Sequence, residues 1–155
     1  MVYATTTAIR ALGRRVVSLD EESKQIDKLL AELVRATAPE LVALYGVGPD
    51  TAASLLVAAG DNPERLRDEA AWAHLCGVAP IEASTGKVKR YRLNRGGARQ
   101  ANAALWRIVI TRMSSDPRTQ AYVARRSQEG RTKGEIIRVL KRYVAREVYR
   151  YLPRP

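Results

Sequence analysis

One cysteine, Cys76, occurs in the 155 residues, and there is no phenylalanine. A lone cysteine excludes an internal disulfide and fits a reducing compartment. Histidine is as scarce: His74 is the only one, and no His/Cys group has the spacing of a metal site. It sits in an apolar stretch beside Cys76, where packing is the expected role. Long apolar runs are missing too, because charge interrupts every hydrophobic stretch. The opening MVYATTTAIRALGRR has no apolar core like that of a signal peptide. A membrane span and a secretory leader are therefore not expected, and the expectation is a soluble cytoplasmic protein.

What is present points to a helical protein with a polyanionic partner. Hydrophobic residues make up 46%, enough for a core, with seven Tyr and two Trp as the aromatics. The net charge of +11 is uneven: residues 1–80 hold 8 Lys/Arg and 11 Asp/Glu, whereas residues 81–155 hold 19 and 5. The halves thus carry −3 and +14, an asymmetry that suits nucleic acid.

Only Gly13 punctuates the first 37 residues. Ile9, Leu12, Val16, Leu19, Ser23, Ile26, Leu30, Leu33 and Thr37 alternate three and four apart, the spacing of a heptad seam. Arg14, Arg15, Asp20, Glu21, Lys24, Asp27, Lys28 and Glu32 fill the polar positions. A coiled-coil arm over residues 1–38 is expected, pairing with a second copy or another protein. A helical domain over 39–155 follows, giving a mostly α fold with a helix-hairpin-helix and a short β-hairpin insertion. Gly60 and Asp61 close one helix, Asn62-Pro63 restarts the chain, and Asp68 and Glu69 suit the first turn of a helix ending near Gly77. Residues 78–97, VAPIEASTGKVKRYRLNRGG, read as loop and hairpin. Three helices complete the chain: about 98–113, one opened by Asp116-Pro117, and one opened by the capping box Thr132-x-x-Glu135. In the last, Arg138, Arg142, Arg146 and Arg150 recur every four residues, a ridge that is either solvated surface or a phosphate contact.

Two segments carry chemistry. In Leu41-x-x-Leu44-Tyr45-Gly46-Val47-Gly48-Pro49-x-Thr51, the Leu residues end one helix and Pro49 begins another. Glycines at 46 and 48 would admit backbone N–H groups to a ligand, and the second helix's N-terminus suits a phosphate oxygen. This is the helix-hairpin-helix pattern, with Gly46, Val47, Gly48 and Thr51 as candidate backbone-reading residues; a purely structural turn is the alternative. The second segment is Glu82-Ala83-Ser84-Thr85-Gly86-Lys87-Val88-Lys89-Arg90-Tyr91-Arg92. Lys87, Lys89, Arg90 and Arg92 would hold a phosphodiester beside the Ser84 hydroxyl and Gly86. Arg95 and Arg99 extend the basic set. A serine nucleophile needs a base, and no Ser–His–Asp arrangement is evident. By spacing alone, Ser84 is a loop residue that contacts phosphate or caps a turn.

Together, LYGVGPDTAASLLVAAGD, AWAHLCGVAP, the Ser84-Thr85-Gly86 loop and RYRLNRGGARQANAALW resemble the C-terminal transposase domain of the IS-one-ten (one-sixteen/one-ten/nine-oh-two) insertion-sequence family. The resemblance covers residues from about 39 to 110. It implies a bacterial, nucleoid-associated recombinase with DNA and a structured guide (bridge) RNA as partners, and Ser84 as the nucleophile of strand exchange. It also implies a RuvC-like domain with an acidic cluster for Mg, which these residues do not supply. No metal or cofactor is expected in this chain, and catalysis is expected to need that domain. Two other readings stand beside it: a non-catalytic helix-hairpin-helix binding module, and a coiled-coil protein that regulates a full-length transposase.

Overall fold

The computed structural model describes residues 2–60 and 63–153. The expected helix break at Asp61 and Asn62 lies outside the described residues. The first helix, α1 (Val2–Thr37), is the long uninterrupted element its composition predicts. It stops because Pro39 disfavours the helical region for the residue before it, and Ala38 takes φ −144°, ψ 65°. A single turn, α2 (Pro39–Val42), leads through a glycine turn into α3 (Pro49–Ala59), where Pro49 occupies the first helical position. A 3-10 turn (Pro63–Leu66) precedes α4 (Glu69–Leu75), and the Asp68 carboxylate accepts the Ala71 N–H at 2.7 Å as its cap.

Strands β1 (Ile81–Glu82) and β2 (Tyr91–Arg92) form the expected hairpin, with Ile81 opposite Arg92 and Glu82 opposite Tyr91. Helices α5 (Arg99–Ser115), α6 (Pro117–Gln128) and α7 (Lys133–Tyr149) follow. The caps read from the sequence are made: Asp116 accepts from Thr119 N, and Thr132 and Glu135 form the reciprocal box. Those hydrogen bonds hold both carboxyls below the usual range, Asp116 chiefly through the Thr119 hydroxyl and Glu135 chiefly through the Thr132 N–H.

Helix α5 is the central post, packed by α3, α6 and α7. Its Ala101, Ala104, Leu105, Ile108 and Val109 are buried among Leu41, Leu55, Trp72, Cys76, Val144 and Val148. Small residues at 101 and 104 bring the neighbouring helices close, and the larger ones fill the space between. Arg112 ties three elements at one end of the post. Its Nε donates to Tyr45 O at 2.8 Å, and its guanidinium meets Glu147 of α7 at 2.6 Å. The core reaches into α1 through Val34 and Ala38, with Leu30 packed against it. The rest of the seam faces solvent: Ile9, Leu12, Val16, Leu19, Ile26 and Leu33 are 54–65% exposed. No helix among the described residues is long and apolar enough to cross a membrane.

The two turn glycines behave differently from each other. Gly46 has φ +80°, as the turn reading requires. Gly48, expected to need the same freedom, is instead an extended N-cap with open space where a Cβ would stand. A different pair is indispensable: a Cβ on Gly97 would lie against Gly77 N and Cα and 2.9 Å from Leu75 O. Backbone cannot yield there, so Gly97→Ala should destabilise the fold by about 1–3 kcal/mol, lowering Tm by roughly 2–12 °C. Gly48→Ala should stay within about 0.5 kcal/mol. Thermal unfolding followed by circular dichroism checks both, and equal effects would refute the assignment.

Candidate nucleic-acid interface

The seat of the site is the contact between Gly77, after α4, and Gly97, before α5. Several bonds fix it. Ala98 N donates to Leu75 O at 2.7 Å, Asn94 Nδ2 to His74 O at 3.0 Å, and Gly96 N to Asn94 Oδ1 at 3.0 Å. From α5, Asn102 Nδ2 donates to Cys76 O at 2.8 Å, while its Oδ1 accepts from Lys141 Nζ at 2.8 Å. One asparagine thus joins the α4 turn, α5 and α7.

Around this seat the fold gathers residues far apart in sequence. A groove of about 920 Å³ runs between β2 and α7. Arg92 and Arg95 stand on one side; Arg138, Lys141, Arg142 and Arg146 stand on the other. Arg146 also meets Glu69 at 2.8 Å, which anchors α7 to α4. Arg138 and Arg142 have no ion-pair partner among the described residues. Desolvation, and then the Arg138 charge, push the Lys141 pKa below its ordinary value. Like charges held this close, with few acids to balance them, make a strongly positive concavity.

Arg99 lies outside this groove and lines a neighbouring hollow with Arg95. The glycine turn forms a further hollow through Gly46, Gly48 and Thr51. Val47 and Thr51 support that turn from within: Val47 is buried with its N–H on Leu44 O, and the Thr51 hydroxyl donates to Gly48 O at 2.8 Å. The acid at Asp50 is paired with Arg107.

The remaining candidates share the outer part of the hairpin. Gly86, at φ +56°, turns the chain between Thr85 and Val88, whose backbones bond at 3.1 and 3.2 Å. Lys87, Lys89 and Arg90 are exposed there. Ser84 Oγ donates to Glu82 Oε1 at 2.8 Å and accepts the Arg90 N–H at 3.2 Å. The hydroxyl therefore points its proton at a carboxylate, the kind of acceptor a general base provides. In the sequence, Glu82 is marked as a neighbour of the Ser84 hydroxyl only by its spacing. Alternation along a strand places residues two apart on one side, which would have flagged it. Lys141 was signalled in the same way, three residues beyond Arg138 on one helix face.

His74 is exposed, not packed: α4 turns Trp72, Ala73 and Cys76 inward and leaves His74 on the solvent side. No cluster of three or more His, Cys, Asp or Glu among the described residues stands ready for a metal ion. Asp20 of α1, one of the acids on the arm, is bound to Lys24 at 2.6 Å on an exposed face.

Residues 38–124 match the profile of the Transposase IS116/IS110/IS902 family. That stretch runs from the end of α1 into α6 and takes in the glycine turn, the hairpin and the Gly77–Gly97 seat. The chain belongs to the IS116/IS110/IS902 transposase family. It is also similar to the insertion element IS110 uncharacterized 43.6 kDa protein of Streptomyces coelicolor, 28% identical over 137 residues. The alignment covers 86% of this chain and 34% of that protein, so this transposase-family chain spans about a third of its relative's length.

Cys76 supplies a check on how the seat is buried. Burial pushes its thiol up to about 12, from 9.0. The thiolate is the reactive form, so a thiol-specific disulfide reagent at pH 8 should label the folded chain far more slowly than the unfolded one. Between pH 9 and 12 the unfolded thiol ionises first, so this group's contribution to stability is full below about pH 9 and is lost as pH rises towards 12. Labelling of folded protein at the unfolded rate would refute the burial.

Proposed function

We propose that the chain is the nucleic-acid-binding C-terminal part of an insertion-sequence transposase, with Ser84 as the nucleophile of strand exchange. The observation that carries the reading is the convergence of Arg92, Arg95, Arg138, Lys141 and Arg142 on one groove. Cations from a hairpin and a helix face each other across a concavity, which suits a sugar-phosphate backbone gripped without regard to base sequence. DNA is the expected occupant, with a structured guide RNA as a further partner. The turn around Gly46 and Gly48, in its helix-hairpin-helix role, would add backbone contacts at the N-terminus of α3.

In this reading Ser84 Oγ attacks the phosphorus of a phosphodiester. The Oγ–P bond forms, the P–O bond to one strand end breaks, the hydroxyl proton passes to the Glu82 carboxylate, and the leaving oxygen takes a proton from solvent. Lys87, Lys89 and Arg90 lie on the same hairpin and would offset charge on the phosphoryl oxygens. Any Mg needed for exchange would be held by a RuvC-like domain.

The exposed seam of α1 favours a second element of function, association through a coiled coil. Leu12→Glu with Leu19→Glu should convert an associated chain to monomer in sedimentation without loss of helicity in the core. An unchanged sedimentation profile would dismiss the seam as an interface.

For the groove, the test is binding to duplex DNA across a salt series. Replacing Arg138 and Arg142 by Gln should lower affinity and make the slope of log affinity against log salt shallower by about 2, since each lost phosphate contact removes about 0.9. An unchanged slope would overturn the groove reading. Ser84→Ala should leave binding intact yet abolish any covalent protein–DNA adduct formed when a RuvC-like domain is supplied. Retention of the adduct would remove Ser84 from the nucleophile's role, leaving the non-catalytic binding module.

A further inference from the structure

Trp106 borders two of the hollows described above and takes no part in the basic groove. It is 47% exposed, whereas the other tryptophan, Trp72, is fully buried. Helical periodicity puts Arg99, Asn102, Ala103 and Trp106 on one face of α5. All four line a hollow of about 590 Å³, within the range of about 300–1,000 Å³ usual for small-molecule sites. Alanine at 103, with its small side chain, leaves room beside the indole. The facing wall carries Asn94 and Arg95 on the segment seated against Gly77, and its backbone is held by the Asn94 and Ala98 bonds. Arg95 and Arg99 have no ion-pair partner among the described residues.

An indole left half in water, with a preformed hollow beside it and two unpaired guanidiniums on the rim, matches the demands of one ligand type. A base offers a π-face for stacking and its phosphates offer anions at either side, and stacking on aromatics tolerates any base. Paired bases keep their faces inside the duplex, so only an unpaired nucleotide presents one.

We propose that this hollow holds one unpaired nucleotide of a nucleic-acid strand, its base stacked on Trp106 and its flanking phosphates on Arg95 and Arg99. The inference rests on the nucleic-acid reading above and adds to it a site selective for single-stranded segments.

The test uses the full chain with a short oligothymidylate, an oligouridylate of equal length, and a duplex of equal length. Trp72 is shielded, so fluorescence quenching on binding reports Trp106. Quenching by either single strand, and little by the duplex, is expected, and the tighter of the two single strands identifies DNA or RNA as the source of the nucleotide. Trp106→Ala should weaken single-strand binding by about 5- to 150-fold, the equivalent of ~1–3 kcal/mol per stacked base, with the salt slope and duplex affinity unchanged. Trp106→Phe should restore much of the loss, which a merely structural role would not predict. Single-strand binding that leaves Trp106 fluorescence unchanged and survives Trp106→Ala would overturn this inference alone. Failure of the native chain to bind any of the three would overturn the nucleic-acid reading with it.

Discussion

Everything that gathers at the candidate site depends on the close passage of Gly97 across Gly77. At that point the end of α4 and the start of α5 touch through backbone alone. The contact lets Ala98 N reach Leu75 O, which sets where α5 begins, and it brings Asn94 within reach of His74 O. With α5 so placed, Asn102 spans the carbonyls of Cys76 and Gly77 and receives Lys141 from α7. Both the basic groove and the Trp106 hollow have Gly77 in their walls. A side chain at 97 would separate the two helices and with them the residues on either side.

Charge and burial divide the labour around that seat. Buried apolar side chains of α3, α4, α5 and α7 provide the cohesion, which is the term large enough to hold a cluster of cations together. Those cations repel one another, and at Lys141 the Arg138 charge adds to burial, the larger cause, in lowering the pKa. A polyanion would relieve that repulsion and release its own counterions on binding. Specific ion pairs such as Arg146–Glu69 and Arg112–Glu147 secure the C-terminal end of α7, from two adjacent residues, to α4 and α5.

The local grammar of the chain was largely legible. Asp68, Asp116 and Thr132-x-x-Glu135 marked three helix starts, because a cap is a bond between residues two or three apart. The hairpin announced itself by the loss of helical periodicity after Val78. Where local reasoning went astray, the missing information was spatial. Gly48 read as conformationally special but needs no left-handed angle, while Gly97 looked ordinary and proved constrained by a partner twenty residues away. His74 read as packed because its sequence neighbours are apolar, yet one helical step places it in solvent. Ser84 appeared without a partner until the hairpin's geometry showed Glu82 beside it. Trp106 gave no signal, since exposure cannot be read from residue type.

By itself, the sequence determined the helical class, the caps, the alternating seam of α1, the surplus of positive charge after residue 80 and the family motifs. All of these are encoded in residue type and near-neighbour spacing. Tertiary structure alone decided which cations share a groove, which glycine cannot change, and which tryptophan meets solvent. Those properties arise from contacts between segments tens of residues apart, such as Asn102 with Lys141 and Arg112 with Tyr45. Such contacts exist only once the core has packed.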